Sequence, residues 1–125
     1  MPNKKLKVLA VDDDLINLKL LKSMLMKTSY VSEVVDAKNG ADAIALLKTQ
    51  DDIDIILLDI IMPVMGGIEM LKVIRADENM IQLPVIVLTT DETKKAEALD
   101  CGANGFLMKP VRERDLSAKI SQLIV

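Results

Sequence analysis

A chain of 125 residues is the size of one ordinary domain, and with half its residues apolar it can close a core without disulfides or a structural metal. A formal charge of -3, with one Tyr, one Phe and no Trp, disfavours DNA, single-stranded nucleic acid or an anionic membrane as the main partner. There is no histidine, so imidazole is excluded as a zinc ligand, a general base or a phosphohistidine. The single cysteine, Cys101, excludes an internal disulfide and reads as a small buried apolar residue in a reducing compartment.

In chain order, Met1 to Lys7 carries lysines, and Met1 suggests a natural start. The apolar run after it, Val8 to Val11, is too short for a signal peptide and ends in three aspartates. No stretch approaches the roughly 18 apolar residues of a membrane span, so a soluble, cytoplasmic protein with no membrane partner is expected. The runs Lys7–Val11, Glu33–Ala37, Ile53–Leu58, Val85–Leu88 and Gly105–Met108 are short and mostly aliphatic, as strands buried on both faces should be. Between and after them lie helical patterns. Leu15–Thr28 carries Ile16, Leu20 and Met24 at helical spacing. Ala41–Lys48 follows Asn39-Gly40, and Gly67–Arg75 follows a Pro/Gly loop. Thr93–Cys101 stops at Gly102, and Arg112–Ile124 starts after Pro110.

Alternating strands and helices with short loops predict a single α/β domain over residues 1–125, a doubly wound parallel sheet of five strands with five helices. No linker, repeat or output domain is expected within it. The flavodoxin-like strand order 2-1-3-4-5 is the expected one.

Function in such a sheet collects at the carboxyl ends of its strands. Asp12, Asp13 and Asp14 follow the first run, Asp59 the third, Thr89 and Thr90 the fourth, and Lys109 and Pro110 the fifth. Only the second run ends blandly, in Ala37 and Lys38. Converging carboxylates repel one another, and a hard divalent cation relieves this. Mg²⁺ takes oxygen ligands and is often held by one or two carboxylates plus phosphate oxygens. Asp13 and Asp59 are the candidate direct ligands, with Asp12 orienting a bound water. Lys109 offers a point charge and Thr89 a hydroxyl, which together suit a phosphoryl group in transfer. Asp59 can itself be the nucleophile, forming an aspartyl phosphate. Plainer readings stand beside these: Asp14 as a helix cap, Thr89 as a hydroxyl bonding local backbone, Phe106 as a core aromatic, and Lys94 and Lys95 as a solvated helix face. The methionines read as core filler, with Met62 and Met65 near enough to the site to line a partner surface.

The stretches VLAVDDD (8–14), IILLDIIMPVMGG (55–67), PVIVLTT (84–90) and GFLMKP (105–110) are each weak signals. Together, in order and at strand ends, they resemble the receiver domain of the two-component response regulators, over essentially the whole chain. The resemblance implies an acidic metal pocket of Asp12 and Asp13, Asp59 as phosphoacceptor, and the backbone carbonyl of Ile61 as a further Mg²⁺ ligand. It implies Thr89 as the switch hydroxyl, Lys109 as the phosphate-pairing lysine, Phe106 as the aromatic rotamer switch, and a cis Lys109-Pro110 bond. The expected partner is a sensor histidine kinase or phosphotransfer protein, with no direct nucleic-acid contact. The domain would be a phosphoacceptor that assists its own phosphorylation and dephosphorylation, not an enzyme acting on another molecule. The face of the fourth helix, fifth strand and fifth helix could also serve a homodimer.

The chain departs from the family pattern at Gly66, where Asp or Asn is common, at Thr90, where Ala or Gly is commoner, and at Phe106, which replaces Tyr. The resemblance also implies that Ile61 and Asp91 occupy positions that in the family tune the phosphoryl lifetime. Among rivals, an aspartate-nucleophile phosphatase would need an acid where Ile61 stands. A flavin-binding module would want a Gly- or Ser/Thr-rich loop where the three aspartates stand. A degenerate receiver is disfavoured by the complete set of site residues.

Overall fold

The computed structural model describes residues 5–124, so Met1, with its expected role as a natural start, and Val125 lie outside the described residues. Five parallel strands form one sheet: β1 (Leu6–Val11), β2 (Val31–Ala37), β3 (Ile55–Asp59), β4 (Val85–Thr89) and β5 (Gly105–Met108). Their order is β2-β1-β3-β4-β5, as expected. The helices are α1 (Leu15–Met26), α2 (Gly40–Thr49), α3 (Gly67–Ala76), α4 (Lys95–Asp100) and α5 (Glu113–Ile124).

The two-residue period of the strands sorts the core into two layers. Leu9, Val11, Ile56, Leu58, Val85 and Val87 face one side and pack with Ile44 and Leu47 of α2, Met70, Leu71 and Ile74 of α3 and Ala98 of α4. Val8, Ala10, Ile55, Leu57, Ile86 and Leu88 face the other and pack with Leu18, Leu21 and Leu25 of α1 and Leu116 and Ile120 of α5. Every residue of β3 and β4 is buried, which is why those runs read as continuous rather than alternating. Among the described residues no helix is long and apolar enough to cross a membrane.

The sequence reading differs from the fold at several ends. β2 starts two residues before Glu33, at Val31, because Tyr30 and Val31 already engage Leu6; the register shifts just after that pair. β3 starts at Ile55, not Ile53. Ile53 is buried but lies ahead of the ladder, and Asp54 N–H donates instead to the Lys7 carbonyl. The fourth helical pattern, expected from Thr93, begins one residue earlier as a 3₁₀ turn at Glu92–Lys94, because Asp91 is the cap and its side chain accepts from Thr93 N–H; the short α4 follows. Gly102 does end α4, at φ 105°, a conformation that needs glycine. Cys101 is half-buried rather than fully buried, packed against the α2/α3/α4 layer.

Candidate functional site

The carboxyl ends of β1, β3, β4 and β5 meet around one acidic pocket. Asp12 follows β1, its N–H donating to the Ala37 carbonyl at 3.1 Å. The side chain is 1% exposed. Its Oδ1 accepts from Asp14 N–H at 2.9 Å and its Oδ2 from Lys109 Nζ at 2.8 Å. Asp59 ends β3 and is 8% exposed. Its Oδ1 stands 3.4 Å from Lys109 Nζ. Asp13 is exposed, yet one oxygen from each of Asp12, Asp13 and Asp59 lies within 4.8 Å of the others. Three carboxylate oxygens that close, with no nitrogen or sulfur donor, suit a hard oxygen-seeking cation.

Burial, first of all, pushes the Asp59 carboxyl above the ordinary carboxylate range, and the charges of Asp12 and Asp13 add to this against the opposing pull of Lys109. Burial alone would lower Lys109. The Asp12 hydrogen bond and the charges of Asp59 and Asp12 more than offset it and hold the ammonium protonated. The pocket is therefore a pair of buried carboxylates bridged by one cation, with a third carboxylate at the rim.

Local backbone aims these groups. Lys109 N–H donates to the Thr89 carbonyl at 2.9 Å, and the Lys109-Pro110 bond is cis, as the resemblance implies. The loop after Asp59 folds back so that Gly67 N–H donates to the Ile60 carbonyl at 2.8 Å. A Cβ at Gly67 would lie 2.4 Å from the Asp59 carbonyl oxygen, so only glycine fits. Met65 is wedged under α2: its carbonyl accepts from Gly40 N–H at 2.9 Å, and a Cβ on Gly40 would meet its Cγ at 2.7 Å. Met62 and Met65 are thus partly buried core pieces, which favours filler over partner surface.

Both plainer readings of the polar caps hold. Asp14 caps α1, its Oδ1 accepting from Ile16 N–H at 2.9 Å. Thr89, 1% exposed, accepts from Asp91 N–H at 3.1 Å, which occupies an acceptor site and leaves the hydroxyl proton to donate. Asp91 is drawn below the ordinary carboxylate range, first by the Thr93 hydroxyl and then by the Thr93 N–H. Thr90 is exposed at the rim, and Gly66 leaves α3 without a side-chain cap. Phe106 is half-buried against the α2/α3/α4 layer. Ile61 projects an exposed apolar side chain.

Two features had no legible signal. Val64, 82% exposed, holds φ 68°, a region that β-branched residues rarely visit. Arg75 donates to four groups: Nε to the Gly102 carbonyl, Nη1 to the Ile81 and Leu83 carbonyls, and Nη2 to Asn104 Oδ1. It ties α3 to the α4–β5 turn through a side chain that reads as an ordinary surface cation.

A doubly wound sheet that gathers three carboxylates and a partly buried lysine at the carboxyl ends of its strands suits a domain that holds a cation and phosphate oxygens. The chain belongs to the response regulator receiver domain family, whose model matches residues 8–121. It is 34% identical to chemotaxis protein CheY-3 of Vibrio cholerae over 97% of its own length and 93% of that protein's. An Arabidopsis thaliana protein named a two-component response regulator, ARR21, is 38% identical over 90% of this chain, but the match covers only 18% of that longer protein. Among solved structures, the receiver domain of a sensor histidine kinase from Pseudomonas aeruginosa PAO1, with a magnesium ion coordinated in its active site cleft, superposes with a TM-score of 0.86. That pair is 29% identical, covering 96% of this chain and 98% of that one.

Proposed function

We propose that this receiver domain accepts a phosphoryl group on Asp59 from the phosphohistidine of a kinase or phosphotransfer protein. The observation that carries the reading is the convergence of one oxygen from each of Asp12, Asp13 and Asp59 within 4.8 Å of one another, with the Lys109 ammonium against Asp12 and Asp59. Asp12, Asp13 and Asp59, with the Ile61 carbonyl, would hold Mg²⁺. Both Asp12 oxygens already accept hydrogen bonds, which supports Asp13 and Asp59 as direct ligands and Asp12 as one acting through water. When bound, Mg²⁺ supplies charge neutralisation for the carboxylates and for the incoming phosphoryl oxygens.

An Asp59 oxygen attacks phosphorus; the new O–P bond forms as the donor's N–P bond breaks, and the imidazole nitrogen leaves with the electron pair. Asp59 then carries about two negative charges in place of one. Lys109 and the free Thr89 hydroxyl proton turn to the new oxygens. Motion of Thr89 opens space on the sheet face it shares with Phe106, and the ring fills it. The face of α4, β5 and α5 thereby shifts between two pre-existing states. The protein's own groups assist both phosphorylation and loss of the phosphoryl group by water.

The test is beryllofluoride with Mg²⁺, a mimic of the acyl phosphate. Wild type should bind the pair and show coupled changes at Thr89 and Phe106, whereas Asp59→Asn should show neither. An equal response in both proteins would sink the assignment.

A further inference from the structure

Lys95, the first residue of α4, places its ammonium 5.9 Å from the centroid of the Phe106 ring. Its neighbour Lys94 instead pairs with Glu97 at 4.0 Å. The two lysines that read alike in sequence thus have different surroundings. Phe106 stands opposite Val87 in the β4–β5 register and packs in the layer that contains Val85 and Val87. Thr89, two residues beyond Val87, lies on that same face.

The backbone from Thr89 to Lys95 is an unbroken series of hydrogen-bonded turns. Thr89 Oγ1 accepts from Asp91 N–H at 3.1 Å. Asp91 Oδ1 accepts from Thr93 N–H at 3.0 Å and from the Thr93 hydroxyl. The Asp91 carbonyl accepts from Lys94 N–H at 3.2 Å, and the Glu92 carbonyl accepts from Lys95 N–H. A Thr89 hydroxyl that moves away gives up its bond to Asp91 N–H, the first link of the series that leads to Lys95.

We infer that Lys95 is a positioning residue for Phe106: its ammonium, held over the ring by the turns that begin at Thr89, retains the ring half-buried and sets how readily it moves inward. This rests on the proposed reading of Asp59, Thr89 and Phe106. The ammonium is attracted to the negative face of the ring. Inward motion of Phe106 carries the ring away from an exposed cation on α4, so the contact favours the state seen here. A Thr89 that swings toward a phosphoryl group makes space for the ring and loosens the turns that hold Lys95 above it.

Phe106 is the only phenylalanine, so phenylalanine labelled with ¹³C in the ring gives one set of ring signals without altering the ring's charge distribution. Spectra of the full chain are recorded for wild type, Lys95→Met, Lys95→Arg and Lys94→Met, with and without Mg²⁺ and beryllofluoride. In the free protein Lys95→Met should raise the inward-to-outward ratio about two- to fivefold, the factor expected for a solvent-exposed cation–π contact. Lys95→Arg should restore the wild-type ratio, and Lys94→Met should leave it unchanged. A Lys95→Met ratio equal to wild type, or a Lys95→Arg protein that behaves like Lys95→Met, overturns the inference. If wild-type ring signals ignore Mg²⁺ and beryllofluoride, the proposed coupling of Phe106 to the Asp59 site fails and this inference falls with it, while phosphoryl acceptance at Asp59 is tested separately by trapping. If they respond but are indifferent to Lys95, this inference alone fails.

Discussion

Replacing Asp59 by Asn should stabilise the metal-free protein, although it removes a group that contacts a lysine. With carboxylate oxygens within 4.8 Å, an effective dielectric of about 20 gives about 3.5 kcal/mol of repulsion between Asp12 and Asp59. On the same scale the Lys109 contact at 3.4 Å attracts by about 5 kcal/mol. Repulsion from exposed Asp13 is smaller, being screened by solvent. These charges nearly cancel, so the sign is decided by burial, the largest influence on Asp59, which disfavours its ionised form. The expected gain is about 1 to 2 kcal/mol, or roughly 4 to 8 °C in Tm for a domain of this size.

The pH dependence has a definite sign. The folded-state pKa of Asp59 is raised, so the ionised carboxylate costs stability in full above that pKa. The cost fades as pH falls through it and is gone below the unfolded value of about 3.9. The advantage of Asp59→Asn should follow the same course. Thermal melts in EDTA at a series of pH values measure it, and Mg²⁺ should narrow the gap by stabilising wild type more. An Asp59→Asn protein less stable than wild type at pH 7 in EDTA would refute this account of the pocket's electrostatics.

Three further substitutions probe the scaffold. Gly67→Ala forces a Cβ to 2.4 Å from the Asp59 carbonyl oxygen, so urea unfolding should show a loss of about 1 to 3 kcal/mol and beryllofluoride binding should weaken. Val64→Asn relieves a left-handed β-branched residue with little burial to lose, and should stabilise by about 1 kcal/mol in the same assay. Arg75→Met strips donors from the Gly102, Ile81 and Leu83 carbonyls, costing about 2 to 4 kcal/mol, and hydrogen exchange should rise in the α4–β5 turn.

The sheet order and the pocket were legible because both rest on strong local signals. Strands such as Ile55–Leu58 and Val85–Leu88 are apolar on both faces, and each site residue is the first polar group after such a run, so topology alone brings Asp12, Asp59, Thr89 and Lys109 together. The helix boundary near Asp91 was not legible, because both Asp91 and Thr93 are residue types that cap helices and only the structure shows that Asp91 is the cap, with Thr93 N–H as its donor. Arg75 and Lys95 were invisible for a related reason. A cation on a helix surface carries no mark of whether it meets water, carbonyls or an aromatic ring. Val64 gave no warning either, because the loop that carries it is closed by contacts distant in sequence or specific to the fold, Gly40 N–H on the Met65 carbonyl and Gly67 N–H on the Ile60 carbonyl.

The central claim, that Asp59 takes the phosphoryl group, is tested most directly by chemical trapping at that residue. The protein is incubated with a small phosphodonor and Mg²⁺, then reduced with borohydride, which converts an aspartyl phosphate to homoserine. Peptide mass spectrometry should find homoserine at position 59 in wild type, none without Mg²⁺, and none in Asp59→Asn. Homoserine at Asp12 or Asp13 with Asp59 unmodified, or stable phosphate on a hydroxyl such as Thr89, would contradict it.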